Sequence, residues 1–401
     1  MLSVCAYFQV HQPCRLRAFR VFDIGESDEY FDEAKDRQIL QRVAERCYRP
    51  MNRLLLDLIK QHEGRFRVAF SLSGTVLEQL ERFEPDTLKT FQDLAATGCV
   101  EFLGETYYHS LAFVHDLDEF DEQVARHSDA IERWFGTRPT VFRNTELIYS
   151  DAVAHHVAQL GFEAVLCEGA DRVLGWRSPT FVRQSPGPEQ LPLLLKDYRL
   201  SDDIAFRFGD QGWHEYPLQA ETFARWVNAK HGNGDVVNLF MDYETFGEHQ
   251  WASTGIFEFM AALPARLLAH PDTIFQTPSE VIRSHRPAGA LSVPDFVSWA
   301  DIERDLTAWL GNDMQWMAAR ALYALRGPVL ATADPVQIER WRQLTTSDHF
   351  YYMCTKWFAD GDVHKYFNPF ESPYDAYIAF MNILSDLSTR VGARHAESAH
   401  A

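Results

Sequence analysis

The sequence predicts an α/β barrel of parallel strands followed by a helical module. Short apolar runs typical of strands alternate with helical segments up to about residue 290, and only helical patterns follow residue 299. Because each parallel connection needs a crossover, this repeated alternation indicates a parallel sheet. Polar and acidic residues follow the first, third, fourth, fifth and seventh strands. Functional loops spread this widely favour a closed barrel, whose active site lies at the C-terminal strand ends, over an open sheet with one switch point.

The size and charge of the chain limit its possible domain organisation and its possible partners. At 401 residues it exceeds the usual size of one hydrophobic core, which favours a large barrel with an additional module. Its 38 basic and 57 acidic residues give a formal charge of −19, which argues against a nucleic acid or an anionic membrane as partner. Aromatic residues reach 13%, enough to supply platforms for sugar rings as well as a core.

The cysteines and the apolar segments together predict a cytoplasmic protein. Six cysteines are scattered without a CxxC pair or a zinc-ligand spacing, so we expect reduced thiols rather than a disulfide framework. The first ten residues are strand-like and lack the basic start and long apolar stretch of a signal peptide. No run approaches the roughly 18 uninterrupted apolar residues expected of a membrane span.

The predicted strands are short β-rich or apolar runs that end in turn or polar residues. In chain order they cover residues 2–10, 66–72, 100–103, 140–142, 164–167, 191–195, 236–240 and 273–276. The run at 236–240 is the clearest, because Asp242, Tyr243 and Glu244 follow it at once and Gly247 marks a turn. A short apolar run bounded in this way is typical of a strand buried on both faces. These runs are compatible with seven or eight barrel strands.

Helical periodicity fills the segments between these strands. After a charged insertion at residues 15–33, apolar spacing predicts helices at 33–61, 75–82, 85–97, 118–135, 220–230 and 255–269, and one from a cap at Ser150 or Asp151 to Gly161. Helices at 301–310, 313–325, 336–357 and 373–389 follow with no convincing strand between them. The predicted domains are a catalytic barrel at 1–290, a helical bundle packed on it at 291–390 and a disordered tail at 391–401.

Two acidic residues at strand ends are the candidate catalytic pair. Glu146 follows the fourth strand in FRNTE, and Asp242 ends the run LFMD. Carboxylates that follow separate strands of a barrel lie close together at its C-terminal end. Glycoside hydrolysis requires such a pair of carboxylates. One attacks the anomeric carbon, and the other protonates the leaving oxygen and later activates water. A single acidic residue at a strand end is more often a structural ion-pair partner. The accompanying polar residues His11, His109 and Arg143 favour a catalytic site instead.

Spacing does not decide which acid of the seventh strand acts. Asp242 and Glu244 share one face if the strand continues. Asp242 directly follows the apolar run, and this less solvated position tends to raise the pKa of its carboxyl. Glu244 and His249 lie further into the loop.

Other functions remain open on the residues alone. His11, Glu105 and His109 form a His–His–acid set that a metal-dependent deacetylase built on a barrel would use. No HxxxH or HExxH pair occurs, however, and this function would leave Glu146 without a role. The aromatic content is also compatible with a glucan-binding protein without catalysis, in which tryptophans such as Trp251 serve as sugar platforms.

Five motifs in order resemble the five sequence regions of glycoside hydrolase family 57. They are HQP at 11–13, GETYYHS at 104–110, FRNTE at 142–146, FMDYETFGEHQ at 240–250 and SWADIERDLTAWLGN at 298–312. The resemblance spans essentially residues 2–390. It implies an incomplete (β/α)7 barrel followed by a helical bundle, and a retaining enzyme that acts on α-glucans without a metal or another cofactor.

The resemblance also implies roles for particular residues. Glu146 is the expected nucleophile and Asp242 the expected general acid/base, which resolves the choice between Asp242 and Glu244. The expected substrate-binding residues are His11, Gln12, Glu105, His109, Arg143, Glu244, His249, Trp251, Trp299, Asp305 and Trp309. Among these, Trp299, Asp305 and Trp309 are expected to reach over from the helical module and close the cleft.

Within the family the chain most resembles short intracellular α-amylases, chiefly through FRNTELIYSD and SWADIERDLTAWLGN. The implied partner is an α-1,4-glucan such as starch, glycogen or maltooligosaccharides. 4-α-Glucanotransferases and branching enzymes share the same double displacement and differ in whether water or a sugar hydroxyl accepts the glycosyl group. Some family members are catalytically silent because they lack a catalytic acid; this sequence has both, which favours an active enzyme.

Overall fold

Within the residues that the structure describes, the strands form two sheets. The computed structural model describes residues 1–356 and 367–398, with residues 393–398 as backbone only. Its strands are β1 (Leu2–Val10), β2 (Val68–Leu72), β3 (Val100–Phe102), β4 (Val141–Phe142), β5 (Ala164–Glu168), β6 (Arg183–Gln184), β7 (Pro192–Lys196), β8 (Val236–Asp242) and β9 (Thr273–Phe275). Each predicted run overlaps one strand, and β6 is an additional short strand antiparallel to β7.

Seven parallel strands are arranged in a ring. One sheet has the order β3–β2–β1–β8, and the other contains β4–β5–β7. A single parallel bridge between Gly104 and Phe142 joins β3 to β4. On the other side, the Asp197 amide after β7 donates to the Asn238 carbonyl of β8 at 2.9 Å. Because neither joint is a continuous ladder, the ring is an incomplete (β/α)7 barrel, and the predicted fold class is confirmed.

The position of β9 resolves the number of barrel strands. β8 pairs with residues 3–9 of β1 on one edge, and β2 pairs with residues 7–10 on the other. β9 pairs with residues 2–4 of β1, the part of that second edge that β2 leaves unpaired. It therefore extends the N-terminal end of the β1–β2 pair and takes no place of its own in the ring, which has seven strands.

Helices cover the strands and form the C-terminal region. Those up to residue 284 are α1 (Glu33–Val43), α2 (Arg49–Gln61), α3 (Gly74–Phe83), α4 (Pro85–Ala95), α5 (Ala112–His115), α6 (Leu117–Phe135), α7 (Asp151–Gln159), α8 (Asp171–Leu174), α9 (Tyr198–Ala205), α10 (Ala220–Asn228), α11 (Ile256–Leu268) and α12 (Pro278–Ser284). The later ones are α13 (Thr307–Leu310), α14 (Asp313–Ala324), α15 (Arg326–Ala331), α16 (Pro335–Leu344), α17 (Ser347–Tyr351) and α18 (Pro373–Ser398).

Two predicted C-terminal helices differ from the structure. The helix predicted at 301–310 is wrong over residues 301–306, because they form turns in which Asp301 and Arg304 have φ of 55° and 50°. Helices of L-residues exclude such values. The helix predicted at 336–357 divides into α16 and α17 and is wrong over residues 352–356, which are turn or irregular; residue 357 lies outside the described residues. The predicted tail at 391–401 is helical as far as Ser398.

The C-terminal helices have a hydrophobic core of their own. Trp309, Trp341 and Phe380 are fully buried in it. The charged insertion after β1 packs against this core, where the Tyr30 hydroxyl donates to Asp386 Oδ2 at 2.6 Å. The insertion thereby ties the first strand of the barrel to α18. Among residues 1–356 and 367–398, no helix has both the length and the apolar character required to cross a bilayer.

A π-helical turn at Ala44–Tyr48, between α1 and α2, holds the loop that follows β8. Cys47 Sγ donates to the Tyr243 carbonyl oxygen at 3.0 Å. Arg42 Nε lies 3.0 Å from Oε1 of Glu248, a fully buried carboxylate. Single π turns inside helices are frequent at functional sites. Here the turn places the backbone of the helix against the acidic loop after β8 and fixes the path of that loop.

Gly247→Ala is expected to lower the free energy of unfolding by about 2–4 kcal/mol and to reduce activity, because this loop has no room for a side chain there. Gly247 has a φ of 105°, and a Cβ atom would lie 2.1 Å from the Arg46 carbonyl oxygen. Urea unfolding measures the loss. Gly136→Ala is the matched control, since Gly136 has a φ of 78° but no atom within 4 Å of its Cβ position. Its expected cost is about 1 kcal/mol, and equal losses would contradict the packing argument.

Candidate active site

The candidate site lies at the C-terminal ends of the barrel strands. Glu146 follows β4 and Asp242 ends β8, and both side chains line two adjoining cavities. His11 and His109 line the first, which we call the histidine cavity. Trp299 lines the second, the tryptophan cavity. The two candidate catalytic carboxylates therefore stand where these cavities meet.

Glu146 is held from two sides in a left-handed backbone conformation. Its φ is 56°, within the short turn Thr145–Leu147. His109 Nε2 lies 3.0 Å from its Oε1, and Trp299 Nε1 donates to its Oε2 at 2.7 Å. A buried carboxylate in a conformation that costs about 1–3 kcal/mol persists only where its surroundings enforce it. Such strain is typical of a functional position.

His109 carries a proton between two carboxylates. Its Nδ1 lies 3.0 Å from Glu105 Oε2, and its other ring nitrogen faces Glu146. Burial alone would lower the pKa of His109, but hydrogen bonds to Glu105 and Glu146 and their negative charges raise it above its usual value. Burial would also raise the pKa of Glu105, but the hydrogen bond and charge of His109 lower it. A protonated imidazole beside Glu146 favours the ionised form that a nucleophile needs.

Arg143 and Lys196 hold the indole ring of Trp299. The Arg143 guanidinium is fully buried and lies 3.8 Å from Glu105 Oε2. Its central carbon is 4.9 Å from the centre of the Trp299 ring, and Lys196 Nζ is 5.2 Å from the same ring. Cations at these distances are attracted to the ring face. The two side chains thus fix the orientation of the indole that donates to Glu146.

His11 connects the barrel to the C-terminal helices. Its Nδ1 lies 2.7 Å from Ser73 Oγ after β2, and its Nε2 lies 3.0 Å from Asp348 Oδ2 in α17. Its ring stacks on that of His109 with centroids 4.1 Å apart. Burial, and then the positive charge of His109, lowers the pKa of His11. The ring is therefore neutral at neutral pH.

These contacts occupy the ring nitrogens that a metal ion would require. Both nitrogens of His109 face carboxylates, and those of His11 face Ser73 and Asp348. Within the described ranges, which end at 356 and resume at 367, no three His, Cys, Asp or Glu side chains are grouped as metal ligands. Glu105 and His109 form a hydrogen-bonded chain to Glu146, and His11 stacks on His109, so the partners of these side chains are one another, Ser73 and Asp348.

Glu244 is a protonated neighbour of Asp242. Its carboxyl group is buried and accepts a hydrogen bond from the Tyr48 hydroxyl. Burial, and then the negative charge of Asp242, raises the pKa of Glu244 to about 8. At pH 7 a neutral Glu244 adds no negative charge beside Asp242.

Glu244→Gln is expected to keep kcat/KM within about tenfold of the wild-type value at pH 7, because glutamine matches the shape and charge of the protonated acid. Above the Glu244 pKa of about 8, the wild type gains a negative charge beside Asp242 and should lose activity. The variant has no such group and should lose less. Initial rates between pH 6 and 10 measure both effects. A loss of about a thousandfold at pH 7 would show that Glu244 acts in its ionised form.

The remaining predicted substrate-binding residues do not all lie at the cleft. Gln12 lines the histidine cavity, and His249 lines both cavities. Trp309 is fully buried in the core of the C-terminal helices. The prediction that it closes the cleft is wrong for this conformation, because a ring with no exposed surface cannot contact a sugar. Asp305 Oδ1 accepts a hydrogen bond from the Thr307 amide at the start of α13, and Trp251 is 58% exposed; neither is among the described residues lining the two cavities.

Sequence analysis missed three residues of the site. Ser73 follows β2 and Lys196 ends β7, so the rule that functional side chains follow barrel strands would have found both. Asp348 lies in the buried helix α17, and no local sequence pattern distinguishes it from acidic residues in the other helices. Its contact with His11 spans 337 residues of sequence, and only the folded chain reveals it.

Comparison with known proteins identifies the family. A family model described as glycosyl hydrolase family 57 matches residues 6–294. A protein of Methanocaldococcus jannaschii named "Putative alpha-amylase" is 40% identical over 392 residues, which cover 94% of this chain and 82% of that protein. The chain belongs to glycosyl hydrolase family 57 and is a glycoside hydrolase.

Solved structures share the fold at low sequence identity. A 4-alpha-glucanotransferase from Thermococcus litoralis superposes with a TM-score of 0.67 at 14% identity, over 87% of this chain and 56% of that one. This chain thus spans little more than half the length of that enzyme. A branching enzyme from Thermococcus kodakaraensis has a TM-score of 0.66 at 12% identity, over 88% of this chain and 85% of that one.

Proposed function

We propose that this protein is a retaining α-glucan hydrolase that cleaves α-1,4-glucosidic bonds by double displacement, as an α-amylase does. The observation that carries the proposal is the shared position of Glu146 and Asp242 where the two cavities meet, with Glu146 bound by His109 and Trp299. Family membership supports the retaining mechanism. The name of the relative from Methanocaldococcus jannaschii supports an α-glucan as substrate.

In the first step, the protonated form of Asp242 donates its proton to the glycosidic oxygen while a Glu146 oxygen attacks the anomeric carbon. The bond from that carbon to the leaving sugar breaks, and the glycosyl group remains on Glu146 as an ester. The bonds from His109 and Trp299 fix the carboxylate plane before the substrate arrives. Because the carboxylate is already oriented, less entropy is lost in reaching the geometry of attack.

In the second step, Asp242 is ionised and removes a proton from a water molecule. The water oxygen attacks the anomeric carbon and releases Glu146 as a carboxylate, so two inversions restore the α configuration. If a sugar hydroxyl takes the place of water, the same residues transfer the chain. This is the reaction of a 4-α-glucanotransferase or, when the hydroxyl is the 6-OH of another chain, of a branching enzyme.

The products formed from maltoheptaose test the proposal. Hydrolysis yields shorter oligosaccharides with one new reducing end for each cleaved bond, and NMR of the first product should show the α anomer. Longer products with few new reducing ends would instead indicate a transferase, and new α-1,6 linkages a branching enzyme. An initial β anomer would contradict retention. Binding without any product would identify a catalytically silent relative.

A further inference from the structure

A broad groove continues from the tryptophan cavity across the surface. It shares Phe206 and Asp301 with that cavity and extends along α8, α9 and the turn at 301–304. It is open to solvent and wider than the tryptophan cavity. We call it the outer groove. Because the two share wall residues, a chain that lies across the catalytic pair can continue directly into the groove.

The charges that line the outer groove are largely compensated. Five acidic residues and three arginines contribute to its lining. Arg304 Nη2 lies 3.6 Å from Asp202 Oδ2, and its guanidinium carbon lies 4.0 Å from the centre of the Tyr198 ring. The excess of acidic residues disfavours an anionic ligand. The paired donors and acceptors suit a neutral ligand rich in hydroxyl groups.

The wall of the groove is preformed. Lys356 Nζ lies 3.1 Å from Glu303 Oε2 and 3.4 Å from Asp301 Oδ2. Arg172 Nη2 donates to the Arg304 carbonyl oxygen at 3.0 Å. These contacts hold the turn at 301–304 from both ends. A ligand in the groove therefore does not have to order this wall, which lowers the entropic cost of binding.

Phe206 supplies an apolar face at the border of the cavity and the groove. It follows α9 directly, and 49% of its surface is exposed. Ligand sites typically combine an aromatic surface with a few polar groups that set orientation. A sugar ring offers both counterparts, with C–H bonds on its face and hydroxyl groups around its edge. Phe206 thus provides a stacking surface within an otherwise polar groove.

We propose that the outer groove binds the part of an α-glucan that extends beyond the sugars at the catalytic pair, with Phe206 as its platform. This proposal rests on the proposed function, because it takes the bound chain to be the one that reaches Glu146 and Asp242. Contacts remote from the cleaved bond contribute binding energy only with substrates long enough to make them. The groove therefore gives the enzyme a preference for long glucans over short ones.

The ratio of kcat/KM for maltoheptaose to kcat/KM for maltotriose tests this assignment. Phe206→Ala should lower the ratio about tenfold relative to the wild type, because the lost contact contributes more to binding of the chain that extends into the groove. Phe22→Ala is the matched control. Phe22 is 86% exposed in the insertion after β1, and its removal should leave the ratio unchanged. An unchanged ratio in Phe206→Ala would overturn the proposal.

Calorimetry on inactive protein separates binding in the groove from the chemistry. Maltoheptaose should bind Glu146→Gln, and adding Phe206→Ala should raise its Kd about tenfold, while adding Phe22→Ala should not change it. Equal Kd values in the two double variants, or no binding to Glu146→Gln, would overturn the groove proposal. A wild type that forms no product from any glucan would overturn the proposed function, and the Kd comparison would still decide the groove.

Discussion

Glu146→Gln is expected to lower kcat on maltoheptaose by about 10⁴-fold or more while the fold remains intact. An amide does not form the glycosyl ester, and the neighbouring acids do not replace it, since Asp242 is needed as the proton donor and Glu244 retains its own proton. The substitution preserves the side-chain volume, and the Trp299 N–H still finds an oxygen acceptor. The expected outcome is a folded protein that binds glucan without turning it over.

Reducing-end assays and thermal unfolding measure the two halves of this prediction. The midpoint of unfolding should change by no more than a few degrees. The pKa of His109, followed by NMR of its ring, should fall, because Glu146 is one of the two carboxylates that raise it. Glu132→Gln, at an exposed position of α6, is the matched control and should keep wild-type activity. Turnover within tenfold of the wild type in Glu146→Gln would rule out Glu146 as the nucleophile.

Asp242→Asn is expected to lower kcat on maltoheptaose by about 10²–10⁴-fold, because the leaving sugar then departs without a proton. The first step should be affected much less on a maltooligosaccharide with a nitrophenol leaving group, since a stable phenolate leaves unprotonated. The second step still lacks its base. The expected time course is therefore a burst of nitrophenol equal to the amount of enzyme, followed by slow turnover.

Stopped-flow absorbance of the phenolate shows whether this burst occurs. Glu146→Gln measured on the same substrate is the comparison, and it should show no burst because it forms no ester. Equal losses of the first step on both substrates in Asp242→Asn would contradict a role in protonating the leaving group. Together the two variants separate nucleophile from acid/base, which static geometry alone does not do.

The two modules of the chain contribute to one site. Trp299 precedes the C-terminal helices and donates to Glu146, and Asp348 in α17 binds His11, which stacks on His109. The side chains that hold the candidate nucleophile thus come from both parts of the protein. We expect a barrel expressed without the C-terminal helices to lack the orientation of His11, even if its strands form.

Much of this architecture could be predicted because its information is local. Each of the eight apolar runs overlaps a strand, because fewer than ten consecutive residues are enough to recognise a buried strand bounded by turn residues. The parallel order places every C-terminal strand end at one mouth, so Glu146 and Asp242 could be assigned to one site without knowing any distance. The helix prediction at 301–306 was wrong for the opposite reason, because the backbone conformation there depends on tertiary contacts. Apolar spacing there resembles a helix, but Asp301 and Arg304 adopt φ values that tertiary contacts impose.

The sequence by itself therefore predicted the barrel, its following helices and the two candidate catalytic carboxylates, because periodicity and strand ends are properties of neighbouring residues. The family followed from the resemblance of five motifs in order. Only the tertiary structure decided which side chains surround that pair. It placed Asp348 and Lys196 at the site, buried Trp309 away from it, and put Glu244 where burial raises the pKa of its carboxyl. These outcomes depend on contacts between residues far apart in the chain, and on the dielectric environment that those contacts create.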